Sequence, residues 1–475
     1  MQLLKTDLEQ FTTDQIEAAI QTHERTAKPR AIKLCRYYCG DNTKIMDKLA
    51  PDPNNPDSRV PVPYGRKLVT TFTGYAYRPR YISYEADEGG KDSYMTQLQA
   101  SFDLNREHIK TERAGRDTAI YGYAYELLYV DSQQQQQVAV GNAPPIVVGS
   151  TLAEPRFFSV DPQEVILFYD YSPEPKKQLA IRYYRITDDW YKVEQYTKAQ
   201  VIVWDRKRGK ESGGQKWTYT PVSSAPNFFD DIPVVAYYLG DDRLGIIEPV
   251  LPLIDGYDLL VSDSFNEFDR FAHAYLLLKK MTLVPPELKK EPGAESSWLR
   301  LLKRRRVFEN LPDISEPVKF LTKDIPTAYV EYMAKLVKDE IHTQSHVPDF
   351  REMATGEMSG AAIKRMLFDF ENVVSSAEAD FDEGLLERIR LMNIIYGKSG
   401  RETDDTEAIV IRHKRNMPED LKEHADTALV MKNAGFSAWL IADIMPDSII
   451  PDPDEELERQ KEEREQSFAD VDREL

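Results

Sequence analysis

Residues Ser359 to Tyr396 carry one uninterrupted helical period, and a rod of that length constrains the fold more than any other feature of the chain. Ile363, Met366, Phe370, Val373, Ala377, Phe381, Leu385, Ile389 and Met392 recur every three or four residues, the spacing of one apolar helix face. Ser359 can cap the start and Gly397 can supply the stop. At ~1.5 Å per residue the helix spans roughly 55–60 Å. Helices of globular proteins average about three or four turns. A single stripe buries one face and leaves the other to solvent or a neighbour. That geometry suits an assembly of subunits better than a lone compact domain. Ile363, Phe370, Phe381 and Ile389 are therefore expected to pack between subunits.

The rest of the 475-residue chain is long enough for two to four domains. Its first half reads as α+β. Helices are expected at Thr13–Ala27 and Pro29–Tyr38, the second ended by Gly40, and at about Tyr94–Arg116. A loop rich in proline and asparagine, "APDPNNPDSRVPVPYG", separates them. Strands are expected in "IYGYAYELLYVD", "PRFFSV", "EVILFYD", "LAIRYYRI", "KVEQYT" and "VIVWDR". "SQQQQQ" reads as a hairpin tip. From Ile247 the period changes: Val250, Ile254, Val261, Phe265, Phe268, Ala272 and Tyr275 mark a helix running to about Lys280. An insert, 281–324, holds "PP" and "EPG" turns and a short basic helix, "SSWLRLLKRRRV". "TAYVEYMAKLVKDEI" forms a further helix with Tyr329, Met333, Leu336 and Val337 on one face. An irregular loop leads from it into the long rod. The C-terminal part is helical and ends strongly acidic.

The search for chemistry excludes more than it finds. The net charge is −19, the reverse of the basic balance by which proteins grip nucleic-acid phosphates. An acidic wall past which DNA slides is compatible with it. "GKS" at Gly397–Ser399 lacks the earlier glycine of a phosphate loop, Met392 standing there. No GxSxG, HExxH or CxxC occurs. His342 and His346, four apart and near Asp339 and Glu340, are the nearest approach to a metal constellation, and a solvated helix end explains them as well. Cys35 and Cys39 read as buried thiols. No cofactor is expected. Lys303, Arg304, Arg305 and Arg306 form the sharpest charge cluster, either a solvated face or a contact for an acidic partner. The N-terminus "MQLLKTDLEQ" lacks an apolar core, so no signal peptide is expected. No apolar run is long enough for a membrane span.

Taken in order, several stretches resemble the portal proteins of long-tailed double-stranded DNA phages. "YYCGDN" is similar to the tyrosine pair and glycine after their N-terminal helices. "FFSVDPQEVILFYD" resembles their strand–proline–strand element, and "IPVVAYYLGDD" the approach to the first stem helix, which "LIDGYDLLVSDSFNEF" resembles. "VPDFREMATGEMSGAAIKRMLFDFE" is similar to their tunnel loop and helix, and "RNMPEDLKEHADTALVMKNAGFS" to the opening of the crown.

That resemblance implies a dodecameric ring at one capsid vertex, a conduit for DNA entry and exit. It implies a wing at 1–246, stem helices at 247–280 and 325–346, a clip at 281–324, a tunnel loop at 347–358, a tunnel helix at 359–397 and a crown at 398–475. Arg351, Glu352, Glu357, Lys364 and Arg365 would line the channel, only Arg351, Lys364 and Arg365 among them being able to touch phosphates. Lys303 to Arg306 would dock partners at the clip. Those partners are the terminase large subunit and a head–tail adaptor, with the major capsid and scaffolding proteins around the ring and no membrane. The implied location is the virion, after assembly in the bacterial cytoplasm. Two alternatives remain open on the sequence. One is a non-channel adaptor or minor capsid protein; the other is a metal-dependent hydrolase using His342, His346 and Asp349.

Overall fold

The computed structural model describes residues 3–49, 57–87, 90–130, 137–138, 146–147, 154–211, 214–272, 275–279, 307–311, 318–321, 327–350, 360–415, 421–445 and 456–460. Residues 1–415 and 416–475 form two compact units.

The first unit mixes helices with two main sheets. Thr12 opens the first helix, Thr13–Arg25, with a reciprocal cap: Gln15 N donates to Thr12 Oγ1 at 3.4 Å and Thr12 N to Gln15 Oε1 at 2.9 Å. Its apolar face, Ile16 and Ile20, packs on a six-stranded sheet through Phe168, Leu179, Ile181, Tyr183, Val193 and Trp204. That sheet runs in the order Leu4–Lys5, Val165–Tyr169, Lys177–Thr187, Trp190–Tyr196, Gln200–Glu211 and Gly214–Pro226, and its contacts are antiparallel except the first. The second helix, Ala27–Cys39, ends at Gly40 with φ 82°, a backbone state that glycine reaches without penalty. Cys35 is half-buried and Cys39 exposed, correcting the reading of two buried thiols. Cys39 is the last helical residue and turns towards solvent.

A second, three-stranded sheet places Tyr123–Val130 between Val234–Tyr238 and Pro155–Val160. The long helix, Gly360–Lys398, lies against it. Gly384 permits the approach, since a Cβ there would fall 2.4 Å from the Tyr237 ring. Phe381 fits between Tyr77 and Tyr237 at centroid distances of 4.6 and 4.8 Å, and Phe370 packs on Tyr75 at 4.9 Å. Phe370, Phe381 and Ile389 are thus buried inside their own subunit, which corrects their assignment to packing between subunits. A hydrophobic period shows which face is buried, not whose surface buries it. Ile363 lies on the same helix, with its side chain outside the described residues.

A buried polar network fixes the helix further. Arg388 is 0% exposed; its Nε donates to Glu126 at 2.7 Å, and its Nη1 to Glu107 at 3.1 Å and Thr111 at 3.0 Å. Tyr237 and Tyr84 donate to the same two carboxylates at 3.0 and 2.8 Å. The helix closes at Gly400, φ 68°, rather than Gly397. Arg401 N donates to Tyr396 O at 2.9 Å and Gly400 N to Gly397 O at 3.2 Å, the paired closure that a left-handed residue allows.

Other expectations shift in detail. The helix expected at 94–116 is two, Asp92–Asn105 and Glu107–Tyr121, broken at Arg106 with φ 52°. Asn105 Nδ2 holds the break by donating to Ser101 O and Pro155 O. A helix at Tyr64–Ala76 and a strand at Gly214–Pro226 add to the expected elements. The helix from 247 is Leu251–Ala272, and Tyr275–Lys279 is instead a strand between Val307–Leu311 and Val318–Leu321. Ile409–His413 pairs with Ile82–Ala86 inside the first unit. The second unit contains helices Leu421–Asn433 and Ala438–Ile444. Among the described residues no helix is long and apolar enough to cross a membrane.

Breaking a buried ion pair costs about 3–5 kcal/mol, against about 0–1 for an exposed one. Arg388→Ala should therefore lower the unfolding midpoint far more than Arg390→Ala, whose side chain pairs with Asp231 near the surface; thermal unfolding followed by circular dichroism compares them.

Candidate functional site

The helix Thr327–Ser345 and the long helix bracket the loop that the sequence singled out. Thr327–Ser345 packs beside Leu251–Ala272. Asp258 of the latter anchors the proline-rich segment in turn, accepting from Val62 N at 2.8 Å and Asn42 Nδ2 at 2.5 Å. Helix Thr327–Ser345 ends where His346 turns to φ 56°, a left-handed state that stops the backbone ladder. Val347, next along, is buried.

Three side chains, His342, Lys67 and Lys338, then converge on Val347 and Asp349 just beyond the helix. His342 Nδ1 lies 2.8 Å from Val347 O and its Nε2 3.2 Å from Lys67 Nζ. A carbonyl only accepts and an ammonium only donates. His342 is therefore neutral, with its proton on Nδ1. Asp349, 6% exposed at its side chain, meets Lys67 at 3.0 Å, Lys338 at 2.7 Å and His342 Nε2 at 3.8 Å. Tyr64 closes the cluster edge-on to His342. Burial holds His342 below its ordinary range; the Val347 carbonyl opposes that shift and Lys67 adds to it. Residues 347–349 are thereby tied to helices 64–76 and 327–345 through charge-assisted bonds, which are stronger than neutral ones.

The long helix is held on its other side by a ladder of ionic contacts. Tyr75 donates to Glu371 at 2.6 Å, Arg415 to Glu371 at 2.7 Å and to Glu378 at 2.7 Å, and His413 Nε2 lies 2.8 Å from Asp382. The chain is therefore fixed to one body on either side of the intervening segment.

Arg351, Glu352 and Glu357 lie outside the described residues, as do Lys303, Arg304, Arg305 and Arg306. Lys364 and Arg365 sit near the start of the long helix, their side chains not described. His342 and Asp349 do come together, but Asp349 is engaged by two lysines and His346 is exposed at the helix end. Among the described residues no group of three or more His, Cys, Asp or Glu could hold a metal. Lys67 and Lys338 were missed by sequence reasoning. Lys338 lies four residues before His342, a visible spacing, whereas nothing local marks Lys67.

The family model described as "Phage portal protein, SPP1 Gp6-like" matches residues 17–468. No curated protein matches the chain. Among solved structures, one described as the neck of an empty GTA particle computed with C6 symmetry aligns over 79% of this chain and 87% of its own, with a TM-score of 0.39 and 11% sequence identity.

A histidine with a lowered folded pKa takes up its proton more readily when unfolded. Its contribution is complete above the ordinary value of 6.5 and is lost progressively as the pH falls from there through the lower folded value. His342→Gln should flatten the fall in unfolding midpoint between neutral and acidic pH. Peptides spanning 338–349 should exchange amide hydrogens faster in Asp349→Asn than in the parent.

Proposed function

Because the chain belongs to the phage portal proteins of the SPP1 Gp6-like family, we propose that it forms a closed homo-oligomeric ring, a dodecamer in the capsid, through which double-stranded DNA enters and leaves the head. The observation that carries this reading is the family match across 452 residues, 17–468. It is a component of the virion, set at one vertex among the major capsid and scaffolding proteins, and assembled in the host cytoplasm.

Within this reading the subunit is a stiff passive element. The wing is 1–246, joined by 398–415 through the pairing of Ile409–His413 with Ile82–Ala86; the stem is 247–272 and 325–346, the clip begins at the strand Tyr275–Lys279 and runs to 324, the tunnel loop is 347–358 and the crown 416–475. A passive conduit must bear the load of the motor and of the packaged DNA without the subunit yielding. The buried Arg388 network and the Asp349 cluster support that role, since both tie separate elements into one body. Arg351, Lys364 and Arg365 contact phosphates transiently as DNA slides, while Glu352, Glu357 and the net charge of −19 keep the contact weak. The chain has no phosphate-loop motif, so ATP hydrolysis belongs to the terminase large subunit. That motor docks on the clip at Lys303 to Arg306, and the head–tail adaptor takes its place after packaging.

Charge reversal of Arg304, Arg305 and Arg306 together should leave ring formation intact in negative-stain images and reduce DNA packaging in vitro. Unchanged packaging would remove these residues from motor docking. Purified protein that stays a monomer in both native mass spectrometry and images would remove the ring.

A further inference from the structure

The six-stranded sheet ends in two unlike edges. One is Gly214–Pro226, paired inwardly with Gln200–Glu211 and outwardly with no strand among the described residues. Soluble proteins usually guard such an edge with charge, proline or a bulge. Here Trp217 to Phe229 holds no Asp, Glu, Lys or Arg, in a chain with 30% charged residues. Pro221 and Pro226 are the guards instead. Thr220 to Pro226 is exposed at every position. Val222 is the extra residue of a bulge, since Val203 pairs with Ser223 and Trp204 with Pro221. It is 50% exposed, and Phe228 just beyond is 57% exposed. Ser223, Ser224 and Ala225 are small enough to admit another backbone.

The opposite edge, Leu4–Lys5, covers only Phe168 and Tyr169 of its neighbour. Beside it lies a groove of about 690 Å³ between the first helix and strand Val165–Tyr169, lined by Leu3, Leu4, Leu8, Phe11 and Ala18 among others. No carboxylate lines it, and Leu4 and Leu8 are 39% and 46% exposed. Copies that each carry −19 repel one another, so a close contact between them favours surfaces that do not set carboxylate against carboxylate. The strand Thr220–Pro226 and the lining of the groove carry no carboxylate, exposed Asp7 and Glu9 stand on either side of Leu8, and the two edges lie at opposite ends of one sheet. A head-to-tail contact needs two such different patches, and it closes into a ring by rotation.

We propose that the edge Thr220–Pro226 and Phe228 of one copy seat against the groove at Leu4 and Leu8 of the next copy. This contact rests on the ring reading above and names a surface that holds the ring together.

The test uses the full chain with Cys35→Ser and Cys39→Ser, first checked for rings by native mass spectrometry. Leu8→Cys and Val222→Cys are then introduced singly and together, and treated with a short bismaleimide cross-linker. A ladder from dimer upward in the double variant, with monomers in each single variant, is the expected result. Rings without a ladder would overturn this contact and leave the ring reading standing. Dimers from Val222→Cys alone would mean a two-fold edge-to-edge contact, and linkage of that cysteine to a co-expressed capsid or scaffolding protein would mean another occupant; either overturns the proposal. Absence of rings in the cysteine-containing parent as well would remove both readings. Independently, Val222→Glu should lower the ring fraction by about tenfold or more, since it places a charge in a closing apolar contact, with the monomer's circular dichroism unchanged.

Discussion

A guanidinium with no access to water sets the terms for the rest of the molecule. Arg388 reaches from the long helix to Glu126 on the central strand of the three-stranded sheet and to Glu107 on the helix before it. Removing such a charge from water costs several kcal/mol unless it is paired and its donors are satisfied. Only one axial position and one rotation of the helix achieve that pairing. Gly384 then lies under Tyr237 and Phe381 between two tyrosine rings. Phe370, Phe381, Leu385, Ile389 and Met392 are covered within the subunit, so contacts between copies are made by side chains other than these. An edge strand without charge and an apolar groove are the kind of surface that remains.

The same fixation gives the start of the long helix its value. The helix is held at Glu371, Glu378 and Asp382 by Arg415, His413 and Tyr75. Across from it, Asp349 is gripped by Lys67 and Lys338. Whatever passes beside residues 351–359 in the proposed ring does so between two anchored ends. For a conduit under load, that arrangement resists displacement without any chemical step in the subunit.

Much of this was legible in the sequence, for reasons that differ by element. The period of the long helix was plain because helical spacing repeats over many turns, and the strands from Pro155 to Arg206 were plain from β-branched and aromatic runs. The owner of the stripe's partner surface was not, since Phe370 and Phe381 look the same whether a neighbour or the subunit itself covers them. Arg388 reads as solvated until Glu126 and Glu107 come from far along the chain. Tyr64–Ala76 hid behind a proline-rich loop, and Gly214–Pro226 behind proline and serine that resemble a turn. Arg106 carries no glycine or proline signal, so the break there went unseen; Asn105 was its one local mark. At the loop base, His342 and Asp349 were visible as candidates, but the lysines that make them a structural clamp rather than a metal pair were not.

The view that each subunit buries its own long helix is tested most directly by hydrogen exchange on rings and on monomers obtained by dilution or mild dissociation. Amides from 367 to 396 should be equally slow in both states. Strong protection in the ring with rapid exchange in the monomer would show that neighbouring copies, not the subunit itself, bury that helix.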